Sequence, residues 1–98
     1  MATYITETGG KSAETEYGGA HLRVEVDGDG KARLLVNGLV RDKSGPAPNL
    51  LLTSTVQTDY EWHEFVEARV LQDDNTVEIV IACNKQEVAH DRHERMPA

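Results

Sequence analysis

The sequence predicts an all-β fold, a small antiparallel β-sandwich or barrel of six to seven strands with a polar C-terminal tail. Three observations point there. Apolar and polar residues alternate strictly over residues 20–27 and 31–37, the period of a strand with one buried face. Residues 60–84 keep the same period of two around a polar break at Asp74 and Asn75. Turn-forming glycines and prolines punctuate the chain, and no segment makes a convincing long helix.

In chain order, residues 2–7 read as a strand and residues 14–17 as a weak one, with Gly9, Gly10, Gly18 and Gly19 marking turns. Residues 20–27 place Leu22, Val24 and Val26 on one face and His21, Arg23 and Glu25 on the other. Residues 31–37 repeat this with Ala32, Leu34 and Val36. Between them Gly28, Asp29 and Gly30 suit a three-residue hairpin whose last position needs positive φ. The resulting register sets Val26 against Ala32, Val24 against Leu34 and Leu22 against Val36, so that the apolar faces coincide.

Residues 41–48 hold Gly45, Pro46 and Pro48 and read as a loop. The Leu-, Thr- and Val-rich residues 50–58 then favour extended structure, and a bend falls near Asp59 and Tyr60. Over residues 60–72, Tyr60, Trp62, Val66, Ala68 and Val70 occupy even positions, a period broken only at Glu64, which predicts a long strand. A two-residue turn at Asp74 and Asn75 pairs it with residues 77–84, setting Val70 against Ile79, Ala68 against Ile81 and Val66 against Cys83. Residues 86–98 are polar and are expected to form a frayed helical tail. A sandwich of this kind leaves open edges, which leaves homo-oligomerisation through an edge or sheet face open.

The chain of 98 residues suits a single domain, with no second-domain linker and no internal repeat. It has 10 basic and 17 acidic residues, a net charge of −7. A field of that sign repels phosphate backbones and anionic lipid headgroups, which argues against direct nucleic-acid or membrane binding. Cys83 is the only cysteine, so no intrachain disulfide forms, and its place in an apolar run suggests a buried thiol in a reducing compartment. With no leader sequence and no apolar run of membrane-spanning length, the expected location is cytoplasmic.

The charge is uneven. Residues 59–78 carry seven acids against Arg69 alone, or −6, whereas residues 20–43 carry five bases and four acids, or +1. Glu61 and Glu67, on the face opposite Trp62 with His63 and Phe65 among them, form an acidic patch with aromatic anchors for a basic partner; the plainer reading is a solvated strand face with an Arg69–Glu78 contact. Glu64 is the sharper anomaly, because its parity puts a carboxylate on the face of Trp62 and Val66. The expected register offers it Lys85 as a counter-ion, or a bulge turns it outward.

No motif for a cofactor or metal rises above background. His90 and His93 would share a face of a helical tail, but two histidines do not close a metal site. The acids at 25, 27 and 29 resemble the start of a calcium loop, yet Val36 stands where the bidentate Glu should be. Cys83 has no adjacent base, and the serines lie in no nucleophile elbow. Neither a P-loop nor a dinucleotide fingerprint is present.

These readings point away from catalysis and toward a noncatalytic protein-interaction module, of which an acidic inhibitor or nucleic-acid mimic is one form. Glu61, Trp62, His63, Glu64, Phe65 and Glu67 are its candidate binding residues. A small-molecule binder or modest enzyme with a pocket near Trp62 and Glu64 is one alternative. A subunit that assembles with copies of itself is the other.

Overall fold

Strict alternation along residues 20–26 makes one strand face apolar and the other polar, and the chain resolves this by stacking two such faces against each other. The computed structural model describes residues 11–57 and 63–94. Eight strands run through them: β1 (Lys11–Tyr17), β2 (Ala20–Val26), β3 (Ala32–Val36), β4 (Leu39–Ser44), β5 (Asn49–Gln57), β6 (His63–Gln72), β7 (Thr76–Cys83) and β8 (Gln86–Glu94). They form two four-stranded antiparallel sheets of order β1-β2-β3-β4 and β5-β6-β7-β8, here the N-terminal and C-terminal sheets. The all-β expectation holds, and of the sandwich and barrel alternatives the two sheets are compatible with the sandwich, with eight strands instead of six to seven. The strand expected at residues 2–7 and the bend at Asp59 and Tyr60 lie outside the described residues.

Both predicted hairpin registers are present. Leu22 faces Val36, Val24 faces Leu34 and Val26 faces Ala32, while Val66 faces Cys83, Ala68 faces Ile81 and Val70 faces Ile79. Their inward side chains meet in one buried cluster that draws on both sheets, with Leu22, Val24 and Leu34 from one and Leu52, Val66, Ile79 and Ile81 from the other. The β2–β3 turn is the three-residue loop the glycines imply: Gly30 has φ +89°. The Asp27 carboxylate holds that loop by accepting from the amides of Asp29 and Lys31 at 2.9 and 3.0 Å. Acids that superficially suggested a calcium loop thus cap a hairpin.

Two segments differ from the sequence reading. Residues 39–44 are strand β4, where a loop was expected to begin at residue 41. Asn37 and Gly38 both take positive φ, 52° and 84°, and turn the chain back tightly after β3. A register shift at Leu34/Leu35 inserts an extra residue in β4 and scrambles its alternation, which hid the strand. Residues 86–94 are strand β8, not a helical tail. As an edge strand β8 buries little, so its sequence lacks an apolar stripe; the turn at Asn84 and Lys85, with φ 50° and 69°, folds it onto β7.

The sheet edges face one another, with β4 beside β5 and β1 beside β8. Side chains bridge both joints. Asp42 Oδ2 accepts from the Thr53 amide at 2.9 Å, and His93 Nε2 donates to the Ser12 carbonyl at 2.9 Å. At one end of the sandwich the Gln72 side-chain amide donates to the carbonyls of Gly30 and Ala47 at 2.8 and 2.9 Å. Edges that would otherwise offer bare main chain to another molecule are thereby occupied. No helix among the described residues is long and apolar enough to cross a membrane.

Candidate interaction surface

Because β6 alternates, its odd residues point away from the core. Phe65, Glu67, Arg69 and Leu71 therefore stand in a row on the outer face of the C-terminal sheet, about 6 to 7 Å apart. On β5, Leu51 lies beside Arg69 and Thr53 beside Glu67; on β7, Val80 lies beside Arg69 and Glu78 beside Leu71. Three large hydrophobic residues of this face are open to solvent, Leu51 at 46%, Phe65 at 42% and Leu71 at 46%. Leu51 and Leu71 are diagonal neighbours at one end of this face, and Phe65 stands at the other, roughly 20 Å along β6 from Leu71, with Glu67 and Arg69 between them.

Charge follows the division into sheets. Residues 63–94 carry eight acids and three Lys or Arg, or −5, whereas residues 11–44 carry six of each and balance. Within the balanced sheet the charges pair: Glu14 meets His21 and Arg23 at 2.7 and 3.1 Å, and Glu25 meets Arg23 at 2.8 Å and also Arg33. Burial opposes ionisation of Glu25, but hydrogen bonds from Arg23 and the charge of Arg33 outweigh it, so its carboxyl lies below the usual carboxylate range. The expected Arg69–Glu78 contact gives way to another, since His90 Nε2 lies 2.5 Å from Glu78 Oε2.

The structure divides the six predicted site residues. Glu61 and Trp62 lie outside the described residues, and His63 is described by its backbone alone, at the start of β6 opposite Gln57. Phe65 and Glu67 share the outer face. Glu64 stands on the opposite parity, as expected, but its predicted partner is wrong. Lys85 sits in the β7–β8 turn, and Glu64 Oε1 instead accepts from the Tyr17 hydroxyl and the Asn84 side-chain amide, both at 2.6 Å. Asn84 is held in turn, because its Oδ1 accepts from the Phe65 amide at 3.1 Å. Tyr17 was missed because it lies 47 positions away in the other sheet.

Glu64 binds Tyr17 and Asn84 as an inter-sheet tie, and the Cys83 thiol behind it is buried and pushed up in pKa by that burial, then by the Glu64 charge. A protonated thiol is a poor nucleophile. The expected pairing of His90 and His93 fails in a strand, where positions three apart face opposite ways; His90 meets Glu78, whereas His93 bonds to β1. Among the described residues no three His, Cys, Asp or Glu side chains gather where an ion would sit. An open groove of about 430 Å³ lies between Asn49, Leu71, Asp73 and Arg92, at the opposite end of β6 from Glu64. No family model, curated protein or solved structure matches this chain.

Proposed function

We propose that this chain is a noncatalytic protein-interaction module that engages a basic partner through the outer face of its C-terminal sheet. The observation that carries this reading is the coincidence of Leu51, Phe65 and Leu71, all exposed, with Glu67 and Glu78 on the face of a sheet whose net charge is −5. Apolar anchors supply the affinity and the acidic surround selects and orients the partner. Arg69, Arg92 and His90 interrupt the acids of this face, which favours a protein surface over mimicry of an unbroken phosphate row.

The test compares partners captured from the native host by the wild-type chain, by a Phe65→Ser, Glu67→Lys double variant and by Glu16→Lys as a charge control on the other sheet. A specific basic protein retained by wild type and Glu16→Lys, released by salt and lost with the double variant supports the proposal. Capture that ignores the double variant refutes it.

A further inference from the structure

The side of the molecule opposite the acidic sheet carries a surface of the reverse kind. β3 and β4 form a ribbon in which Lys31, Arg33, Arg41 and Lys43 stand against Asp42, or +3 over residues 31–43; Arg33 is paired to Glu25 of the neighbouring β2, which leaves Lys31, Arg41 and Lys43 as the bases of this surface. Both Asp42 oxygens are engaged by main-chain amides, Oδ1 by Lys43 and Oδ2 by Thr53. Arg33 faces Lys43 across the ribbon, and Leu35 faces Val40. Two large hydrophobic residues of β4 are open to water, Leu39 at 63% and Val40 at 44%; as consecutive strand residues they point to opposite sides, and Val40, beside Leu35, shares the outer side with Arg33 and Lys43. The Asn37–Gly38 turn presents Leu39 and Val40 at the ribbon's end. Bases beside exposed Val40 are the counterpart, in charge and hydrophobicity, of the net-acidic sheet that exposes Leu51, Phe65 and Leu71.

We infer that the basic partner of the acidic sheet is a second copy of this chain, joined head to tail with its β3–β4 ribbon laid on the outer face of the C-terminal sheet. The inference rests on the interaction-module reading and names that module's partner. Electrostatics decides the arrangement. Two acidic sheets repel each other and so do two ribbons, which disfavours an interface in which each copy offers the same patch. Unlike patches attract, and Val40, on the outer side of the ribbon with Leu35 and Lys43, then supplies the apolar contact to the outer face of the C-terminal sheet. The two patches lie on the outer sides of different sheets, so one molecule cannot satisfy both from within itself. Each added copy leaves one free patch of either kind, and growth continues until a ring closes or a filament forms. The joints between the sheets, bridged by Asp42 and His93, remain intact, because contact is made through side-chain faces and not by main-chain pairing.

Sedimentation velocity of the full chain over a wide concentration range tests this directly. The wild-type protein is expected to sediment faster with concentration beyond a dimer, and added salt reverses the effect. A ribbon variant, Val40→Ser with Arg41→Glu, and a face variant, Phe65→Ser with Glu67→Lys, each weaken self-association by roughly tenfold or more. The decisive sample is their equimolar mixture. One intact ribbon and one intact face remain between the two variants, so a head-to-tail joint yields a heterodimer that stops there. Circular dichroism confirms that each variant is folded, and Val40→Ser alone is a milder ribbon variant if the double one is not.

A wild-type chain that stays monomeric at every concentration overturns the inference, as does assembly that survives both variants or a mixture that recovers nothing. The two readings fail separately. A monomeric protein that still captures a different basic partner through Phe65 and Glu67 loses only the self-association, whereas capture independent of those residues removes the acidic-face reading itself.

Discussion

The Tyr17 hydroxyl donates a 2.6 Å hydrogen bond to Glu64, joining the last residue of β1 to the second residue of β6 and so tying one sheet to the other. The acceptor also takes the Asn84 side chain, which fixes the start of β6 to the turn that launches β8. A carboxylate at an inward-facing position is thus spent on holding the sandwich's end, where a counter-ion had been expected.

This tie has a spectroscopic consequence. The hydrogen bond to Glu64, then burial and the negative charge of Glu64, raise the Tyr17 phenol above its ordinary range. In an ultraviolet titration, subtraction of Tyr17→Phe is expected to isolate one phenol that ionises later than a free tyrosine. Glu64→Gln removes the charge and brings that ionisation to lower pH. An unchanged Tyr17 titration in Glu64→Gln would show that the carboxylate does not act on the phenol.

Acid should weaken the protein through Asp73 as well as through Glu25. The Asp73 carboxylate accepts from the amides of Asn75 and Thr76, both at 2.8 Å, and these bonds hold its pKa below the usual range. A folded-state value below the unfolded one means that the contribution is present above about pH 4 and disappears as pH falls through the folded value. Asp73→Asn keeps an acceptor without the charge, so its melting temperature should drop less than wild type between about pH 4 and about pH 2. Thermal melts across that range measure the difference.

Three substitutions separate core from face. Ile79 is fully buried between the sheets, and Ile79→Ala should cost about 2 to 5 kcal/mol through lost burial and the cavity left behind. Leu51→Ala and Leu71→Ala, on the exposed outer face, should stay within about 0.5 kcal/mol of wild type. Urea unfolding reads all three, and a large loss at Leu51 would place it in the core instead of on a docking surface.

Glycine substitutions distinguish backbone strain from crowding. Gly38 has φ +84° with open space where a Cβ would go, whereas Gly45 has φ +103° and a Cβ there would lie 2.9 Å from the Gly30 carbonyl oxygen. Gly38→Ala should cost about 1 kcal/mol from conformation alone. Gly45→Ala adds a clash with main chain that cannot swing aside, and should exceed it by about 1 kcal/mol or more in the same unfolding measurement.

Much of this architecture is legible from alternation, because a strand with one dry face must repeat every second residue. That is why the β2–β3 and β6–β7 registers follow from Leu22, Val24, Val66 and Ala68 alone. β8 escapes because an edge strand exposes most of its side chains, and Val88 and Ala89, only partly buried, are too few to mark a stripe. β4 escapes because the shift at Leu34/Leu35 interrupts its period, although Asn37–Gly38 is a strong hairpin signal that could have found it. The candidate surface is legible in part: Phe65 and Glu67 follow from parity, but Leu51 and Leu71 join them only once β5 is laid beside β6. The Tyr17–Glu64 tie is a tertiary fact with no local trace.

Among the described residues every ladder joins strands that follow one another along the chain, and residues 45–48 carry the polypeptide from one sheet to the other with Gly45, Pro46 and Pro48 exposed. A proteolytic nick there would leave two fragments, each owning one wall of a shared interior and neither able to dry its own oily side. The native shape therefore belongs to the pairing of the two sheets.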